Sequence, residues 1–262
     1  MKKRMLVYVV FGLVFYLLFL IVEMPASWFA WGLNQYSHRA VRLDPIGGSL
    51  WSGNGRIVIY HPQTTPHDLG TAEWNINPLW LFTGRIQMHW LVKAQDTNID
   101  ATVQFCPGQT QWVDTDASFP AQSVSTFYPA ATLILPKGLV RLHTARFSIG
   151  QKGIEGSGEI FWQNAGSSLS SVQPLGDYRL EIAGAEKNAK LKLTTLRGDL
   201  EFTGQGQWQP QTGQVQINGS AMPRARAGEL ESLLRMIGDD QGGGRRALTI
   251  NTSYPLLKLS DG

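Results

Sequence analysis

The residues that could do chemistry are few and poorly grouped. Five histidines, His38, His61, His67, His89 and His143, share the chain with a single cysteine, Cys106. No two histidines have the H-E-x-x-H spacing that sets a pair of imidazoles on one helix face around zinc. His61, His67 and Asp68 are close in sequence, but Pro62 and Pro66 place them in an irregular loop without a second ligand set. No metal site is expected. No serine sits in G-x-S-x-G, so a nucleophile elbow is absent. Gly53-Asn54-Gly55 and Gly204-Gln205-Gly206 do not extend to G-x-G-x-x-G, and there is no phosphate loop, so no nucleotide cofactor is implied. Asp239-Asp240 reads as a solvated pair in a Gly-rich loop and Cys106 as a small buried hydrophobe. The expectation is a non-enzyme with no catalytic, cofactor or metal residues.

Charge excludes another class. The chain of 262 residues carries 23 Lys and Arg against 20 Asp and Glu, a net charge of +3. Lys2, Lys3 and Arg4 account for all of the excess, because the residues after Val22 are balanced. A broad phosphate-binding surface is therefore not expected, and nucleic acid is not a partner. Trp74, Trp80, Trp90, Trp112, Trp162 and Trp208 then read as core residues rather than base-stacking platforms.

Met5 to Val22 is an uncharged run, MLVYVVFGLVFYLLFLIV. As a helix it would span about 27 Å, close to a hydrocarbon core of about 30 Å. The run is longer than the ~7–15 apolar residues of a signal peptide, and no clean small-x-small site precedes the bulky aromatics Trp28, Phe29 and Trp31 that follow. It reads as an uncleaved anchor over residues 5–22, with a cytoplasmic tip at residues 1–4 because its flanking cations lie on the N-terminal side only. Trp28, Phe29, Trp31 and Tyr36 then fall at the outer interface, where amphipathic rings prefer to sit. Residues 23–262 lie outside the cytoplasm.

The exported part must position its aromatic residues on strands. Phe202, Gly204, Gly206 and Trp208 alternate with Glu201, Thr203, Gln205, Gln207 and Gln209; Val215, Ile217, Gly219 and Ala221 alternate with Gln214, Gln216, Asn218 and Ser220. Pro210 to Gly213 joins the two as a hairpin turn. Tyr178, Leu180 and Ile182, and Leu191 and Leu193, continue the pattern. Further strands are expected over 55–60, 71–77, 85–92, 98–105, 139–148 and 247–252. Helical signals are a continuation of the anchor over 25–36, a turn or two over 121–128, and an amphipathic helix over Ala225–Ile237 with Leu230, Leu233, Leu234 and Ile237 on one face. Asp239 to Gly244 reads as a flexible loop. The fold class is mainly β: curved antiparallel sheets in an exported domain, one N-terminal transmembrane helix and one short amphipathic helix. A loose internal echo suggests two similar halves, about 40–120 and 139–262, each with a Trp on its inner face.

Gly48-Ser49-Leu50-Trp51-Ser52-Gly53, Trp74-Asn75-Ile76-Asn77-Pro78-Leu79-Trp80-Leu81, Phe161 to Ala165 followed by Leu175-Gly176-Asp177-Tyr178, Arg197 to Leu200 with Gly204 to Trp208, and Leu233 to Gly238 stand in this order behind the anchor. In that order and spacing the chain resembles protein N of the type II secretion system. The residues that carry fold and resemblance are Trp51, Gly53, Trp74, Pro78, Trp162, Gly176, Tyr178 and Trp208. The resemblance implies an accessory inner-membrane component of a machine that moves folded proteins from the periplasm across the outer membrane. Its implied partners are the platform proteins C, L and M and the secretin D. It brings no catalytic residue. The alternative is a lipid- or lipoprotein-handling domain, in which a curved sheet tethered to the inner membrane holds an acyl chain, making lipid the partner.

Overall fold

The structure, a computed structural model, describes residues 2–37, 41–59, 67–127, 129–151 and 153–253. It divides into two compact units, Met1–Gln95 and Asp96–Gly262. The chain is mainly β, as its two-residue alternation predicts.

The first unit opens with α1 (Lys2–Val22) and α2 (Ala26–Tyr36). Four antiparallel strands follow, β1 (Val41–Gly48), β2 (Ser52–Ile59), β3 (His67–Asn77) and β4 (Ile86–Lys93), each paired to the next. A 3-10 turn, Pro78–Thr83, links β3 to β4. Counting only the described residues, no helix is long and apolar enough to cross a membrane. The large apolar side chains described along α1, including Tyr8, Phe11, Phe15 and Phe19, are exposed.

The second unit is a linear meander. Its strands are β5 (Asn98–Cys106), β6 (Gln109–Pro120), β7 (Pro136–Gly150), β8 (Gly153–Ser167), β9 (Gly176–Ala185), β10 (Asn188–Gly198), β11 (Leu200–Gln209), β12 (Gln214–Pro223) and β13 (Arg246–Ser253). Between β6 and β7 a short α3 (Val124–Phe127) is flanked by two 3-10 turns. α4 (Ala227–Ile237) lies between β12 and β13.

Register sorts the side chains of this sheet into two faces. Leu142, Ile160, Leu180 and Leu193 stand opposite one another across β7 to β10, and the row continues through Gly204 and Gly219 to Leu248. On the other face Asp100, Asp116, His143, Glu159, Glu181, Lys192, Gln205, Asn218 and Thr249 form one polar row from β5 to β13.

The apolar face curls. Phe147 on β7 and Trp208 on β11 stack with centroids 6.2 Å apart and planes at 9°. A flat sheet would hold strands four apart at about 19 Å. Small residues lie between the rings: Phe147 faces Gly156, and Trp208 faces Ala189, which faces Gly184. With nothing larger than the Ala189 methyl on this floor, the two rings meet over it. At the other end of the strands, Val172, Leu175, Leu200, Ala221, Leu230, Leu233 and Leu234 form a buried cluster, with Phe202 and Ile237 against it.

The amphipathic helix has the expected face but starts at Ala227, not Ala225. The peptide nitrogens of Arg224 and Ala225 both donate to the Asp199 carbonyl, at 2.7 and 3.3 Å, and Arg226 takes a left-handed φ of 49°. Arg226 Nε also donates to Asp199 Oδ2 at 2.7 Å, fixing where the helix begins. Three strands carried no clear sequence signal. β1 contains Pro45 at an irregularity between Leu43 and Ile46, β6 meets a register shift opposite Asp100 to Thr102, and β8 is shifted against both neighbours. Each shift moves the apolar set to the other face and breaks the period.

Leu230→Ala should lower stability by about 2–5 kcal/mol, because it opens a cavity in this cluster. Met236→Ala, on the exposed side of the same helix, should stay within about 0.5 kcal/mol. Thermal unfolding followed by tryptophan fluorescence compares the two.

Candidate functional site

A pair of titratable side chains meets across the sheet. His143 Nδ1 lies 2.7 Å from Asp116 Oδ1 across β6 and β7. Asn98, Ser118, Arg141, Phe161 and Gln163 line the same depression of about 380 Å³, which is wide open to solvent. The pair orients an imidazole on an open sheet face, without the enclosed pocket in which a general base meets a substrate. The neighbouring carboxylates are engaged in ion pairs. Arg179 reaches Glu181 at 3.1 Å and Glu159 at 3.7 Å, and Lys192 reaches Glu181 at 3.5 Å.

Among the described residues no His, Cys, Asp and Glu cluster could hold a metal. His61 and the His67 side chain, weighed as ligands in the sequence, lie outside the described residues. Asp68 accepts from the Gly70 peptide nitrogen at 2.8 Å. Cys106 is free and half-buried at the end of β5.

The eight motif residues fall into three groups. The first ties the helices to the sheet. Trp51 stays outside the buried core. It is half-buried, and its indole Nε1 donates to the Ile21 carbonyl at 2.8 Å. Beside it, Leu50 N donates to the Met24 carbonyl at 2.7 Å, and Pro25 bridges Ser49. The Trp51 carbonyl accepts from Ile76 N on β3. The turn between β1 and β2 therefore clasps the junction of α1 and α2. Trp74 is buried, donates to the Leu50 carbonyl at 3.1 Å, and stacks on Phe29 of α2 at 4.5 Å and on Trp90 at 6.4 Å. Gly53 makes room for it: a Cβ there would lie 2.4 Å from Trp74 Cζ2. Phe29, expected at a membrane interface, is thus turned to the sheet. Pro78 opens the 3-10 turn, whose first free amide, Leu79 N, donates to Asn77 Oδ1 at 3.0 Å.

The second group lies in the other unit. Trp162 Nε1 donates to the Lys137 carbonyl at 2.8 Å, and its ring meets Tyr178 at 6.0 Å. Tyr178 is buried, donates to the Leu200 carbonyl at 2.9 Å, and contacts the Phe202 ring at 5.1 Å. A Cβ on Gly176 would lie 3.1 Å from the Tyr178 hydroxyl and 2.5 Å from the Arg197 carbonyl, so this glycine lets the ring lie back against the chain. Burial, and then the nearby Asp177 carboxylate, push the phenol above its ordinary pKa of 10.0 and keep it a donor. The third group is Trp208 alone, which stacks on Phe147 as described. Most of these residues are engaged in ring packing or in hydrogen bonds to backbone carbonyls.

Apolar side chains placed outside the fold are the features the sequence left out. Leu79, Leu81 and Phe82 project outward: Leu79 is 69% and Phe82 85% exposed. On α2, Trp28 and Trp31 are 58% and 65% exposed. The second unit carries another such group, Leu133, Ile134, Leu135 and Leu169, with Ser167 Oγ donating to the Ile134 carbonyl at 2.6 Å. Contiguous exposed apolar groups mark surfaces that meet a partner or a membrane.

A family model described as type II secretion system (T2SS), protein N, matches residues 39–249. No curated protein and no solved structure matches the chain.

Gly53→Ala should displace Trp74 and shift its fluorescence, with a loss of stability of about 1–3 kcal/mol from overpacking. Tyr178→Phe should cost about 1–2 kcal/mol by leaving a buried carbonyl unpaired. The phenol's pKa is raised on folding, so its contribution is complete below pH 10.0 and declines above it as the unfolded chain ionises first. Melting temperature above pH 10 should therefore fall more steeply for the native protein than for Tyr178→Phe.

Proposed function

The chain belongs to the type II secretion system protein N family, and on that premise we propose that it is an accessory inner-membrane component supporting export of folded proteins across the outer membrane through protein contacts. The observation that carries this reading is the family match, which covers most of both units. The family implies contacts with other secretion components. The partners proposed are the platform proteins C, L and M and the secretin D.

In this reading α1 is a single-pass anchor. It holds the uncharged run from Met5 to Val22, its described apolar side chains are exposed, and Lys2, Lys3 and Arg4 lie on one flank only. Burying those side chains in lipid recovers about 25 cal/mol for each Å² removed from water. The cations keep residues 1–4 in the cytoplasm, and residues 23–262 are periplasmic. The work is done by contact rather than by turnover. The His143–Asp116 pair lies open to solvent, and the described motif residues are engaged in packing or backbone hydrogen bonds.

The acyl-groove alternative requires free space along the inner face of the sheet. Phe147 and Trp208 meet across that face, and Tyr178 packs on both Trp162 and Phe202, so the protein's own rings fill these stretches. This favours the protein-contact reading.

Replacing residues 1–22 by a cleavable export signal should impair secretion, because tethering raises the effective concentration at the inner-membrane platform. His143→Ala should leave secretion intact. Secretion assays on both variants, at matched protein levels, check this; loss of secretion in His143→Ala alone would point to chemistry at the imidazole.

A further inference from the structure

The 3-10 turn Pro78–Thr83 is an unusual place for apolar residues. It has no buried residue, and it is closed by its own hydrogen bonds: Thr83 Oγ1 donates to the Trp80 carbonyl at 2.7 Å, Gly84 N to the Leu81 carbonyl at 3.0 Å and Arg85 N to the Trp80 carbonyl at 3.1 Å. The turn is therefore a built element that holds its side chains out. Residues three apart eclipse in a 3-10 helix, so Leu79 and Phe82 project along one edge. The segment PLWLFT carries no charge.

Its position is fixed by the clasp. Trp51 holds Ile21 with its indole and Ile76 with its carbonyl. Leu79 is three residues beyond Ile76, so even a fully extended chain keeps it within about 11 Å of that point. The turn thus lies beside the C-terminal end of α1. α2, which leaves the same junction, is equally free of charge, and Trp28 and Trp31 share one of its faces at i, i+3 spacing while Phe29 packs on Trp74. Two uncharged elements with four large exposed apolar side chains are therefore pinned to the end of the proposed anchor.

We propose that this turn is a second membrane contact: Leu79 and Phe82, with Trp28 and Trp31, seat the first unit in the headgroup region of the bilayer that α1 crosses. The proposal rests on the anchor reading and deepens it. A bilayer surface is the occupant that suits the site, because the apolar side chains adjoin the point where the chain would leave the hydrocarbon. Rings and aliphatic groups without charge partition into that layer. The seat would fix the orientation of the first unit on the membrane, which a flexible tether would not.

The test uses the full-length chain with Cys106→Ser and one added cysteine, at Phe82, Gln95 or Val14. Each carries an environment-sensitive fluorophore and is reconstituted in phosphatidylcholine–phosphatidylglycerol vesicles containing spin-labelled lipids. Gln95 lies beyond the far end of β4, roughly 20 Å or more along the strand from the turn. The expected result is loss of fluorescence at Phe82 with shallow quenchers, loss at Val14 with deep quenchers, and none at Gln95. Quenching at Val14 without quenching at Phe82 would overturn the membrane seat and leave the anchor standing. Absence of quenching at both would overturn the anchor and the seat together.

Discussion

An antiparallel sheet with one dry face and no second layer to cover it must cover itself. The rest of the second unit follows from that constraint. Its strands run in chain order, each paired to the next, and among the described residues of this unit they form no second sheet for the row Leu142, Ile160, Leu180 and Leu193 to pack against. The sheet curls until Phe147 reaches Trp208, and glycine or alanine on the intervening strands lets the rings lie flat over the floor. α4 completes the cover at the other end by laying Leu230, Leu233 and Leu234 over Leu200 and Ala221. The first unit meets the same demand differently. There α2 acts as the lid, with Phe29 stacked on Trp74 and Gly53 cleared to admit the indole.

Which parts of this were legible in the sequence depended on whether a signal was local. Alternation in Glu201 to Ala221 gave β11, the turn and β12, because a two-residue period with one apolar face has no other economical reading. The leucine stripe gave α4. The strands that were missed, β1, β6 and β8, each contain or oppose a register shift, and a shift breaks the period on which such readings depend. Tertiary pairings left no local trace. Nothing in the neighbourhood of Trp51 says that its indole will hold Ile21, thirty positions earlier. The outward placement of Leu79 and Phe82 was likewise hidden, since an apolar run beside Trp80 reads as core by composition. Only the Asn77 cap, Pro78 and Gly84 signal that the run is a turn rather than a strand. Family membership was legible because it rests on order and spacing of Gly and Trp stretches along the chain.

The chemistry available to the chain points the same way as its family. Charged side chains are tied to one another: Arg179 serves Glu159 and Glu181 across strands, and beyond the strand ends Arg224 serves Glu201 and Arg226 serves Asp199. Among the described residues, exposed large apolar side chains stand along α1, on α2, at Leu79 and Phe82, and at Leu133 to Leu135 with Leu169. Exposed apolar groups of this kind are the surfaces on which proteins meet partners or membranes.

The most direct measurement of that account is site-specific photocrosslinking in intact membranes of cells that secrete normally. A photoreactive residue would be placed at Leu133, Leu135 or Leu169, and the adducts identified by mass spectrometry. The account predicts discrete adducts with another component of the secretion machinery at one or more of these positions. Adducts with lipid alone, or with no secretion component at any of them, would contradict it.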